Sequence, residues 1–82
     1  MSTVRDVVEV LARALTDRPD DIRVVESERK GTTLVELYVA PGELGRVIGK
    51  QGRTAAALRT LAASAGEKAG KTVTLEIRDG RP

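Results

Sequence analysis

The 82-residue sequence predicts an α+β fold, a three-stranded sheet with three helices on one face, in the order helix–strand–strand–helix–helix–strand. Three observations carry that reading. Apolar residues recur at helical spacing near the N-terminus and again beyond Arg53. Between these stretches, and once more near the C-terminus, apolar and polar residues alternate as they do in half-buried strands. Gly and Pro punctuate the boundaries, where the chain must turn.

The first helix is capped by Ser2 or Thr3, with Asp6 in its first turn favoured by the helix dipole. Val4, Val7, Val8, Leu11 and Leu15 form its apolar stripe, and Pro19 with Asp20 and Asp21 ends it. Ile22 to Glu28 reads as a strand, weakly alternating through Ile22 and Val24. Arg29-Lys30-Gly31-Thr32 supplies the turn of a hairpin, with Gly31 free to take positive φ. Its second strand, Thr33 to Ala40, is clearer: Val35, Leu37 and Val39 point one way, Glu36 and Tyr38 the other. Pro41-Gly42 breaks it.

Glu43 to Ile48 is then apolar at Leu44, Val47 and Ile48, as in one or two helical turns. A longer helix from about Arg53 to Ala69 turns Ala55, Leu58, Ala62, Ala65 and Ala69 inward and stops at Gly70. Val73, Leu75 and Ile77 alternate with Thr74, Glu76 and Arg78 in a last strand, and the tail from Asp79 to Pro82 is expected to fray. The whole is one domain, residues 1–82, with an N-terminal helix at 1–18, a hairpin at 22–40, a helix–loop–helix at 43–70 and a final strand at 72–78.

Composition narrows the chemistry. The chain has no Cys and no His, so disulfides, thiolate or imidazole metal sites and imidazole catalysis are ruled out, and no cofactor is expected. The carboxylates are scattered, with nothing to pair them in an apolar pocket, so the expectation is not an enzyme. No apolar stretch approaches the roughly 20 residues of a membrane span, which makes a cytoplasmic location the expectation. Residues 1–28 hold four Arg against seven Asp and Glu, a net −3, which leaves +5 on the remainder of a chain whose total is +2. Such an asymmetry fits an anionic partner for the second part, and fits a plain solvated surface about as well.

The segment that carries chemistry is Leu44-Gly45-Arg46-Val47-Ile48-Gly49-Lys50-Gln51-Gly52-Arg53-Thr54. Two glycines flank two polar residues between two helices. The glycines let the backbone bend sharply and let a ligand come close. The second helix starts beside them, offering N–H groups and a positive dipole end to a phosphate. Arg46, Lys50 and Arg53 add charge within a few residues. A P-loop does not fit: three residues, not four, separate Gly45 from Gly49, and Gln51 stands where Ser or Thr would hold magnesium.

With these residues the sequence resembles the KH domain family, whose GXXG loop clamps the backbone of about four nucleotides. The run Val47-Ile48-Gly49-Lys50-Gln51-Gly52 matches the family core (I/V)IGxxGxx(I/L). The element order resembles the type II, prokaryotic arrangement, and the likeness is to stand-alone bacterial KH proteins of the KhpA type. One departure is Ala55, where the family usually has Ile or Leu; it implies a shallower groove. The resemblance implies that Gly49 and Gly52 admit the backbone of single-stranded RNA and that Lys50 and Gln51 project outward. Val47 and Ile48 would join an apolar wall under the bases, one of the two facing the core. Arg46 and Arg53 as phosphate contacts are inferred from proximity. Tyr38 is the sole aromatic residue, so no stacking platform is available.

The resemblance further implies an RNA-chaperone or post-transcriptional regulatory role linked to cell shape and envelope homeostasis. It also implies self-association or pairing with a larger KH-containing protein. Leu61, Ala57 and Ser64 border the core stripe of the long helix and could form that partner interface; an ordinary half-exposed helix edge explains them equally well.

Overall fold

Lys30 and Gly31 both adopt left-handed backbone, with φ of 50° and 81°, the pair of positive values that a two-residue type I′ turn requires. They join β1 (Arg23–Arg29) to β2 (Thr32–Val39) in antiparallel register, Arg29 opposite Thr32 and Arg23 opposite Tyr38. The structure, a computed structural model, describes residues 3–80. In it β3 (Thr72–Asp79) pairs in parallel with the other side of β2, giving the sheet order β1-β2-β3. The remaining elements are α1 (Thr3–Leu15), a 3-10 turn at Pro19–Asp21, α2 (Leu44–Ile48), a second 3-10 turn at Lys50–Gly52 and α3 (Arg53–Lys68).

The expected order is therefore observed, as a mixed sheet with its helices on one face. Val35, Leu37 and Val39 of β2 are fully buried and meet Val4 and Val8 of α1, Val47 of α2, Leu58 and Ala62 of α3 and Leu75 of β3. Burying each Val or Leu contributes on the order of 1.5–3 kcal/mol, which is most of what so small a core has.

The differences from expectation lie at element ends. α1 stops at Leu15, well before Pro19: Thr16 N–H still reaches Ala12 O at 3.2 Å, and Pro19–Asp21 then form their own turn. Its buried row is Val4, Val8 and Ala12. Leu15, expected inward, is 37% exposed, because it is the last residue of the helix and lies in a hollow beside α3. Thr3 sits within the helix, and the alternative cap, Ser2, lies outside the described residues. At the other terminus Asp79 does not fray. It pairs with Val39, whose carbonyl also accepts Gly80 N–H at 2.8 Å; Arg81 and Pro82 lie outside the described residues.

The end of α3 holds the main correction to the core. Ala69, expected inward, is an exposed cap residue, and Gly66 takes the buried place. Lys71 N–H donates to Gly66 O at 2.7 Å and Gly70 N–H to Glu67 O at 3.1 Å, the bond pair of a Schellman motif. Here the helix lies so close to β3 that a Cβ on Gly66 would overlap Val73 Cγ2 and stand 3.1 Å from Lys71 O.

Gly66→Ala is thus expected to lower stability by about 1–3 kcal/mol through overpacking. Gly45→Ala, in a helix with open space around it, should leave stability unchanged or raise it slightly. Urea midpoints of the two variants check the contrast.

Candidate nucleic-acid interface

The chain leaves α2 through Gly49 (φ 76°, ψ 175°), passes Gln51 (φ 57°) and Gly52 (φ 71°, ψ 14°) in left-handed conformation, and enters α3 at Arg53. The two glycines serve different ends. A Cβ on Gly49 would overlap Thr54 Oγ1 and lie 2.7 Å from Thr54 Cβ, so its hydrogen is demanded by packing within the chain. A Cβ on Gly52 would meet nothing within 4 Å; the space over it is open. Lys50 and Gln51 between them are exposed.

The expectation of open amides needs correction. Gly49 N–H donates to Gly45 O at 2.9 Å, Gly52 N–H to Gly49 O at 3.2 Å, and Arg53 N–H to Lys50 O. The bend is built from its own hydrogen bonds, and it presents side chains to a ligand more than it presents bare backbone.

The sequence-predicted residues divide accordingly. Lys50 makes no ion pair with a described residue, which leaves its ammonium to solvent. The Gln51 amide oxygen accepts a hydrogen bond from Arg53 Nη2 at 2.9 Å, so these two side chains act as one unit. Arg46 is 56% exposed but already engaged, with Nη2 at 2.9 Å from Asp17 Oδ2 and Nε at 3.4 Å from Glu43 Oε2. Of the expected apolar wall, Val47 is fully buried in the core and Ile48 is half-buried, so Ile48 alone can offer a surface. Ala55 is buried as well. Tyr38 lies on the sheet face away from the helices, its hydroxyl donating to Glu36 Oε2 at 3.1 Å. Burial, and then that carboxylate, push its pKa up.

Sequence reasoning missed Glu43. Its Oε1 accepts the Thr16 hydroxyl at 2.7 Å and Asp17 N–H at 2.8 Å, while Arg46 holds Oε2. The carboxylate thereby ties the end of α1 to the start of α2, the helix that delivers the loop. Thr16 and Asp17, the partners that make it a tie between helices, lie more than twenty residues away, and the i, i+3 spacing to Arg46 does not reveal them.

Of the expected interface residues, Leu61 and Ala57 do line an apolar hollow of about 220 Å³ with Leu11, Ala14, Leu15, Thr54 and Leu58. It adjoins a larger open groove of about 480 Å³ beside Val7, Val10 and Leu61. Ser64 lies apart, lining a shallow hollow with Glu67 and Lys68. Val10, 68% exposed, joins this groove, and its i, i+3 step from Val7 is a signal the sequence carries.

The Thr16 hydroxyl, and secondly Asp17 N–H, hold the Glu43 carboxyl below its ordinary value of 4.5. A carboxyl depressed in the folded state stabilises above its unfolded pKa and loses that contribution as pH falls through the folded one. The urea midpoint of Glu43→Gln should therefore be lower than that of the parent chain at neutral pH, and the gap should narrow as pH is taken below about 4. A gap independent of pH would show that the carboxylate charge plays no part.

A family model described as KhpA/KhpB, KH domain matches residues 5–77. The chain is 53% identical over 77 residues to the RNA-binding protein KhpA of Aquifex aeolicus, covering 94% of this chain and 98% of that one. It is 46% identical over 76 residues to the protein of the same name from Halalkalibacterium halodurans, at 93% and 100% coverage. The protein of that name from Mycobacterium tuberculosis is 47% identical over 79 residues, at 95% and 94% coverage. With a family match across nearly all of the described chain, and a type II arrangement of helices and strands around the GXXG bend, the chain belongs to the KhpA/KhpB family of KH domains.

Proposed function

We propose that this chain binds single-stranded RNA, without catalysing a reaction on it, by laying the sugar–phosphate backbone over Gly49-Lys50-Gln51-Gly52. The observation that carries this is the form of the bend: Lys50 and Gln51 are exposed between two glycines of positive φ, Gln51 itself on left-handed backbone, with open space above Gly52. The names of its relatives, RNA-binding proteins over their whole lengths, support the reading. Arg53 adds charge through its pairing with Gln51, and Ile48 offers an apolar edge. With about three neutralised phosphates, the log–log salt slope is expected near −2, so binding by one copy is weak. A role as RNA chaperone or post-transcriptional regulator, connected with cell shape and the cell envelope, is proposed on the family likeness alone.

A second reading is favoured by the apolar surface between α1 and α3. Val10 and Leu61 are 68% and 45% exposed, and the groove they share with Val7 and Leu11 is walled almost wholly by hydrocarbon. We propose that this face joins the chain to a second copy of itself or to another KH-containing chain, which would supply the second RNA contact that a weak module needs.

Lys50→Asp with Gln51→Asp changes the charge at the bend by −3 and should weaken RNA retention at least about tenfold in a mobility-shift assay while leaving the fold intact. Unchanged retention by the double variant rejects the loop as the clamp. Leu61→Asp should lower the apparent mass in light scattering towards the 8.8 kDa of one chain. An unaltered mass would remove this face as the interface.

A further inference from the structure

We infer that Glu43 is a positioning residue for RNA binding: it touches no RNA, and it sets the angle at which α2 delivers the GXXG loop. This deepens the RNA-binding reading above and rests on it. α2 has five residues, about 7.5 Å of rise, too few to hold a helix in place without tertiary contacts. Leu44 and Val47 lay one side of it on the core. Apolar contacts of that kind are non-directional, so they leave the helix free to swing across the core surface. A swing of about 10° about its first residue would carry Gly49 by about 1.5 Å, beyond the roughly 0.5 Å within which a binding group has to be held.

The Glu43 carboxylate supplies the missing direction. Glu43 is the N-cap of α2, yet its side chain makes no cap bond to that helix. It turns to the end of α1 instead, where Oε1 accepts the Thr16 hydroxyl at 2.7 Å and Asp17 N–H at 2.8 Å. One turn on, Arg46 puts Nε 3.4 Å from Glu43 Oε2 and Nη2 2.9 Å from Asp17 Oδ2. The anchor is itself held: Thr16 is buried, and its hydroxyl accepts Arg18 N–H at 3.0 Å. At 13% exposure the Glu43 side chain is the most covered carboxylate of any ion pair among the described residues, which leaves it little surface to offer a ligand. Charge alone gives the opposite expectation for its removal. Losing an anion seven residues before Lys50 should draw a polyanion closer, whereas losing the tie should loosen the loop and weaken binding.

The test uses the full chain and a short labelled single-stranded RNA in fluorescence anisotropy, without denaturant and across a salt series. Glu43→Ala should weaken binding about three- to tenfold and keep the parent's log–log salt slope, because no phosphate contact is lost. Thr16→Val should do the same, and the two losses should not add in the double variant. Thr16→Ser, which keeps the hydroxyl, should bind as the parent chain does. Val4→Ala opens a cavity at the far end of α1; it should lower the urea midpoint and leave RNA affinity unchanged. Unchanged or tighter binding by Glu43→Ala overturns the inference, as does a change in its salt slope. Additive losses, a serine variant as weak as valine, or an equal loss in Val4→Ala overturn it too. If any of these comes with loss of binding by the double-Asp loop variant, the loop clamp stands without the tie. If the loop variant still binds, the underlying reading fails instead.

Discussion

Strand β3 runs parallel to β2, and that pairing obliges the chain to travel back along the sheet between Val39 and Thr72. α3 makes the return. Its sixteen residues rise about 24 Å, close to the about 26 Å spanned by the eight residues of β3, so helix and strand are matched in length. The match places the Gly66–Val73 contact at one end and the GXXG bend at the other, beside the C-terminal ends of β2 and β3. The GXXG loop thus sits where it does because a parallel strand needs a crossover and this crossover has a fixed length.

Within that frame the bend is held by contacts within the chain. Thr54 fills the space that a side chain on Gly49 would need, and three amides of the bend close hydrogen bonds inside it. Glu43 extends this outward by tying α1 to α2, so the loop inherits its position from both helices.

Charge follows the same logic. The acidic N-terminal third and the basic remainder look segregated along the chain, yet in space they interleave: Asp17 and Glu43 hold Arg46, and Lys71 reaches Glu26 and Glu28. In the second part of the chain Arg46, Lys71 and Arg78 are held in such pairs, which are worth little individually at an exposed surface. Among the described residues, Arg29 and Lys30 at the hairpin and Lys50, Arg53, Arg59 and Lys68 from the loop onward make no ion pair.

The order of elements, the hairpin with its Lys30-Gly31 turn, the inward face of β2 and the glycine-bracketed loop were all legible in the sequence, because each is written in spacing and turn chemistry over a few residues. The i, i+3 step from Val7 to Val10 was legible too. What the tertiary structure decided are the features that depend on residues distant in the chain. That Gly66 and not Ala69 meets the sheet follows from how closely α3 approaches β3. That Arg46 faces carboxylates, and that Glu43 clamps two helices, follows from where α1 ends. That Val47 belongs to the core and Ile48 to the surface follows from how α2 lies on the sheet. Local periodicity is a property of the backbone and can be read in one dimension; burial and ion pairing are set by which elements come together, and only the folded chain fixes that.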